Sequence, residues 1–170
     1  MSEFEDAKRV ALQPIYFEAG AGLYDCQAFE NAMAYMLYLM SRLGMVELNP
    51  IDMCAIMDHE TKKTAGQLAA MLRRHAEISE GIEGTLAAAL SARNTLIHRY
   101  LVDNVERFVE PRNYPQMVRE IANLRAAVQR GHRAIDPFIK VFMALADGAD
   151  CDQFIEDLKQ QMAQRWSADG

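Results

Sequence analysis

At 170 residues and 19.2 kDa the chain is sized for one domain with a substantial core, and 51% hydrophobic with 25% charged residues is an ordinary globular composition. No apolar run approaches the roughly 20 residues of a membrane span, and residues 1–9 are too polar and acidic for a signal or transit peptide. The net charge of −6 weighs against a general nucleic-acid binder, and Cys26, Cys54 and Cys151, outside any CxxC spacing, read as reduced core thiols of a cytoplasmic protein.

Residues 23–43 place Leu23, Phe29, Met33, Met36, Leu37 and Met40 at three- and four-residue spacings and stop at Gly44, which predicts a helix. Asn49-Pro50 is a cap followed by a first-turn proline, opening a shorter helix over residues 50–59. A further start near Thr61 or Thr64 leads into Leu68, Met71 and Leu72, then Arg73-Arg74-His75. Gly81 and Gly84 mark a break, after which residues 85–109 read as one long helix closed by Pro111 and Pro115. The next helix begins at Tyr114 or Pro115 and runs to Arg130, with Gly131 as its stop. Residues 137–146 and 150–165 give two more, separated by the Asp147-Gly148-Ala149 turn. No stretch alternates with period two between turn residues. The expected fold is an all-α antiparallel helical bundle, one domain over residues 1–170. Met33, Met36, Met40, Met53, Met57 and Met71 read as adaptable core filler.

Charge is unevenly spread. Residues 92–133 carry eight arginines (93, 99, 107, 112, 119, 125, 130 and 133) against Asp103, Glu106, Glu110 and Glu120, a net +4 that leaves −10 for the rest of the chain. Inside this basic segment lies Arg93-Asn94-Thr95-Leu96-Ile97-His98-Arg99-Tyr100. A bare Arg-x4-His has about 0.3 chance matches in a chain of this composition and says little by itself, so Arg125 and His132, at a looser spacing, count as a decoy. Asn after the arginine and Tyr two after the histidine make the longer pattern far rarer.

On a helix Asn94 and His98 are neighbours one turn apart, whereas Arg93 lies about 140° from His98. It shares its stripe with Leu86, Ala89, Leu90, Ile97 and Tyr100, so it must pair with a carboxylate such as Glu30, snorkel outward, or face another subunit. One straight helix does not bring Arg93 and His98 onto a common phosphate; a bent helix or a symmetric second copy would. The structural alternative is that Asn94 and His98 bond within the bundle and Arg93 pairs with Glu30.

The stretch resembles the signature of the HEPN superfamily, Arg-x4–6-His with a polar residue, often Asn, after the arginine. Arg93, Asn94 and His98 match it residue by residue, and His98-Arg99-Tyr100 resembles the His-x-Tyr extension of HepT-type toxins. The run from Thr61 through Gly66-Gln67-Leu68 to Leu90 is similar to uncharacterised bacterial members of that superfamily. The resemblance covers residues 23–135 and leaves additional C-terminal helices over residues 137–165, which the usually shorter HepT-type toxins lack.

The resemblance implies a helical bundle that dimerises with both motifs facing one cleft, acting in active members as a metal-independent endoribonuclease. His98 would serve as general base on a ribose 2′-OH or general acid on the leaving oxygen, and histidine's ordinary pKa of about 6.5 suits either role. Arg93 would clamp the scissile phosphate, Asn94 would orient His98 or bind an oxygen, and Arg99 and Arg107 would contact RNA. Tyr100 would be a modification site for a partner nucleotidyltransferase. The implied setting is toxin or phage defence, with a cognate antitoxin, and cleavage would leave 2′,3′-cyclic phosphate ends. No metal, cofactor or membrane is expected. Many HEPN domains are non-catalytic binding or dimerisation modules, which is the alternative reading.

Two other classes fit less well. Residues 64–72 are similar to the first helix of a helix-turn-helix, but residues 73–83 lack a clear turn and a basic recognition helix. A di-metal carboxylate bundle needs Glu-x-x-His pairs, and no histidine here has a Glu three residues earlier. Asp58-His59-Glu60 reads as a solvated helix end, and no Gly-rich phosphate loop, nucleophile elbow or zinc spacing is present.

Overall fold

The structure, a computed structural model, describes residues 3–47, 64–75 and 79–148. These residues are all-α and include no strand. The helices are α1 (Glu3–Arg42), α2 (Ala65–His75), α3 (Glu80–His98), a single turn α4 (Tyr100–Asp103) and α5 (Tyr114–Ala146), with 3₁₀ turns at Val105–Val109 and Pro111–Asn113. Among the described residues no helix is long and apolar enough to cross a membrane. The expected helices over residues 50–59 and 150–165 lie outside the described residues.

Local chemistry sets several boundaries. Gly44 takes φ 69°, and Met45 N–H bonds to the Met40 carbonyl while Gly44 N–H bonds to Ser41. That is a Schellman stop, available to glycine because it lacks a Cβ. Thr64 caps α2 reciprocally: Gln67 N–H donates to Thr64 Oγ1 (3.3 Å) and Thr64 N–H donates to Gln67 Oε1 (2.9 Å).

Other expectations need correction. The helix predicted from residue 23 begins at Glu3, and Pro14 is accommodated within it. Leu23, expected on the core face, is exposed. The helix predicted over residues 85–109 ends at His98; Arg99 leaves the helical region at φ −126°. Asn104 Nδ2 then donates to the Tyr100 carbonyl, and β-branched Val102, Val105 and Val109 further disfavour a continuous helix. Gly131 and Pro137 both lie inside the continuous α5, so residues 137–146 are not a separate helix.

The chain falls into two compact units, one of Met1–Asn31 with Glu77–Ala134 and one of Ala32–Ala76 with Ile135–Gly170. In the second, Met33, Met36, Leu37 and Met40 are buried, as are Leu68, Leu72 and Ile135. The filler role expected of the methionines holds at those three, whereas Met53 and Met57 lie outside the described residues.

The first unit holds the motif. Its core cluster joins Ile15 of α1, Tyr100, and Tyr114, Met117 and Ile121 of α5, with Leu12, Leu96 and Phe108 packed against it. Further along, Asp25 of α1 meets Arg125 and Gln129, and Phe29 meets Gly131. Residue numbers therefore rise together on α1 and α5, which run parallel here. Leu96 lies at Gly22 and Ala89 at Gly131, so α3 runs antiparallel to both. Gly131 is a close-packing position rather than a stop.

A Cβ on Gly131 would stand 2.3 Å from the Ala89 Cβ. Gly131→Ala should therefore destabilise by about 1–3 kcal/mol through overpacking. Gly20→Ala, with nothing within 4 Å, should stabilise by about 0.5–1 kcal/mol. Urea unfolding checks both signs, and a stabilised Gly131→Ala variant would contradict the tight α3–α5 contact.

Candidate functional site

Arg93 sits where α3 packs on α1, with its side chain 14% exposed. Removing a guanidinium from water requires a compensating charge, and Glu30 supplies it: Arg93 Nε donates to Glu30 Oε1 at 2.6 Å. The ion pair anticipated as the structural reading is thus present. Two further contacts run outward from the same guanidinium. Nη1 lies 3.0 Å from Asn94 Oδ1 and 3.0 Å from His98 Nε2, and both of those residues are exposed.

This corrects the expectation that a single helix keeps Arg93 and His98 apart. The 140° separation describes Cβ directions, whereas a long arginine side chain can sweep along the helix surface to a residue five positions on. A guanidinium carries donors only, so His98 Nε2 must accept and the ring proton must sit on Nδ1.

Cys26 is buried near this ion pair. Burial pushes its thiol up to about 11, with Arg93 acting in the opposite sense and Glu30 and Asp25 raising it further. It is therefore a protonated core thiol at neutral pH and no nucleophile.

Tyr100 turns inward. Its hydroxyl is placed to donate to Glu120 Oε2 (2.7 Å) and lies 3.1 Å from the Met117 carbonyl, and the residue is only 6% exposed. Burial and then Glu120 raise its pKa well above the ordinary phenol range. A buried, bonded hydroxyl is not the placement a modification target needs; here Tyr100 is a strut between the chain after α3 and α5.

Arg107 joins the same network. Nη1 and Nη2 reach the two oxygens of Glu120 at 2.7 and 3.2 Å, and Nη1 also donates to Asn104 Oδ1. A guanidinium so engaged already has its charge balanced by Glu120. Arg99 is exposed. The decoy Arg125 is likewise committed: it contacts Glu18 and Asp25 of α1, the latter at 2.9 Å, and crosses α1 at Gly22, where a Cβ would meet its Cγ at 3.2 Å.

Sequence reasoning missed Glu120, because nothing local distinguishes it from any other helix-surface glutamate. It also missed the pairing of Arg125 with Glu18 and Asp25, which is separated by about a hundred residues. Among the described residues no group of three His, Cys, Asp or Glu is placed to hold a metal ion. Neither family models, nor curated proteins, nor solved structures give a match to this chain.

The Arg107 hydrogen bonds hold the Glu120 carboxyl down at about 2, against an ordinary 4.5. A depressed carboxyl stabilises the fold above its unfolded pKa and loses that contribution as pH falls through the folded one. Thermal stability should therefore drop between about pH 4.5 and 2. Glu120→Gln should flatten that part of the profile, and an unchanged acid limb in the variant would contradict the assignment.

Proposed function

We propose that this chain is a HEPN-type, metal-independent endoribonuclease acting as a homodimer, with Arg93, Asn94 and His98 at its reactive centre. The observation that carries the reading is the contact of a guanidinium with an acceptor imidazole nitrogen at 3.0 Å, on an exposed helix end. That arrangement offers the parts of phosphodiester transfer in one place. Arg93 binds the non-bridging oxygens and stabilises their developing charge. As it does so, its Nη1 leaves His98 Nε2, which is then free to take the proton from a ribose 2′-OH. The 2′-oxygen bonds to phosphorus and the P–O5′ bond breaks. The 5′-oxygen takes a proton from water or from a second histidine, leaving a 2′,3′-cyclic phosphate and a 5′-hydroxyl. Asn94, bonded to the same Nη1, fixes the guanidinium's direction.

Dimerisation is supported by the segment after the motif, where Val102, Val105 and Val109 are 72%, 63% and 73% exposed. Apolar surface of that kind, following His98 in sequence, favours a partner on this segment, and a two-fold partner would bring two motifs to one cleft.

The alternative, a non-catalytic HEPN module, is favoured by a different observation. Glu30 already neutralises Arg93 and Arg93 already caps His98, so the cluster is satisfied without substrate.

Incubation of a mixed RNA pool with the protein in EDTA separates the two. The nuclease reading expects cleavage with cyclic phosphate ends, reduced about 10²–10⁴-fold by His98→Ala. It also expects a dimer at micromolar concentration by sedimentation. Equal cleavage by His98→Ala, or none by the wild type, would remove the reading.

A further inference from the structure

The eight arginines of residues 92–133 separate into two groups. Arg93, Arg107, Arg112 and Arg125 are each paired with carboxylates. Arg99, Arg119, Arg130 and Arg133 are exposed and make no ion pair among the described residues. Arg133 Nε reaches only its own helix, at the Gln129 carbonyl, 3.3 Å away.

Three of the unpaired arginines share one face of α5. At 100° per residue Arg119, Arg130 and Arg133 fall within about 60° of one another, with exposed Asn123 alongside. The face lies opposite the buried Met117, Ile121, Val128 and Ile135. The acidic residues of α5, Glu120 and Asp136, lie off it and are committed to Arg107 and Lys140. In a chain of net charge −6 this is a concentrated positive stripe with no ion-pair partner among the described residues. Over fourteen residues at 1.5 Å each it is about 21 Å long, enough for about six nucleotides at 3.4 Å apiece.

We infer that the Arg119–Arg130–Arg133 face of α5 docks the phosphate backbone of single-stranded RNA. The choice of RNA as the polyanion rests on the proposed ribonuclease reading; the stripe itself rests on charge and position. Its contacts are to phosphate, so it adds affinity and salt dependence without sequence preference.

The test is fluorescence anisotropy of a labelled single-stranded RNA in a salt series, with all proteins carrying His98→Ala so that the probe survives. Arg119→Gln/Arg130→Gln/Arg133→Gln should lower the slope of log affinity against log salt by about two units. Affinity should fall between about tenfold and a hundredfold near 0.1 M salt. Arg112→Gln, which removes an arginine already paired with Glu110, should leave the slope unchanged. The three changed side chains are exposed, and circular dichroism checks that the variant keeps its helices. An unchanged slope in the triple variant, or no binding before substitution, overturns the inference, while the EDTA cleavage result judges the nuclease separately. A reduced slope in a protein whose wild type does not cleave RNA would uphold the stripe and remove the nuclease reading.

Discussion

The ion pair between Arg93 and Glu30 is the constraint on which the rest of the site depends. A guanidinium placed between packed helices is tolerable only with a carboxylate beside it, and α1 supplies that carboxylate 63 residues away in sequence. Once Nε is held, the planar guanidinium has little freedom left, and Nη1 is aimed at Asn94 and His98. Phe29 of α1, Ala89 of α3 and Gly131 of α5 converge in the same unit.

The same logic runs through the other charged groups of this unit. Arg125 ties α5 to Glu18 and Asp25 of α1, and Arg107 ties the segment after the motif to Glu120. These pairs are cross-braces in a three-helix arrangement. Tyr100 adds a neutral brace to the same glutamate. Arg107 and Arg125 are taken up as braces, whereas Arg119, Arg130 and Arg133, three of the four arginines without an ion pair among the described residues, lie on the outer face of α5. A raw count of positive residues cannot separate those two populations.

Much of the fold was legible because helix ends obey local chemistry. Gly44 and Thr64 terminate and cap where capping rules place them, since the satisfying groups lie within a few residues. Glycine and proline were misleading where tertiary packing outweighs local preference. Gly131 is required by Ala89 and Phe29, contacts invisible in its neighbourhood, and Pro137 is carried within α5. The break after His98 was illegible because its anchors, Glu120 and Met117, lie on another helix. For the site, an unpaired arginine on an apolar stripe announced its need for a carboxylate, and Glu30 could be named. Its contact with His98 could not, because angular arithmetic on Cβ positions omits the length and sweep of the side chain.

On the proposed reading, Arg93 caps His98 Nε2 in the free protein and releases it to a phosphodiester. Nitrogen-15 NMR of the His98 ring, alone and with a single-stranded RNA whose 2′-hydroxyls are replaced by hydrogen, tests this directly. The expected result is the Nδ1-protonated tautomer with Nε2 as acceptor in the free protein, and a changed Nε2 environment when the strand binds. An Nε2-protonated ring in the free protein, or a His98 signal unmoved by saturating strand, would contradict it.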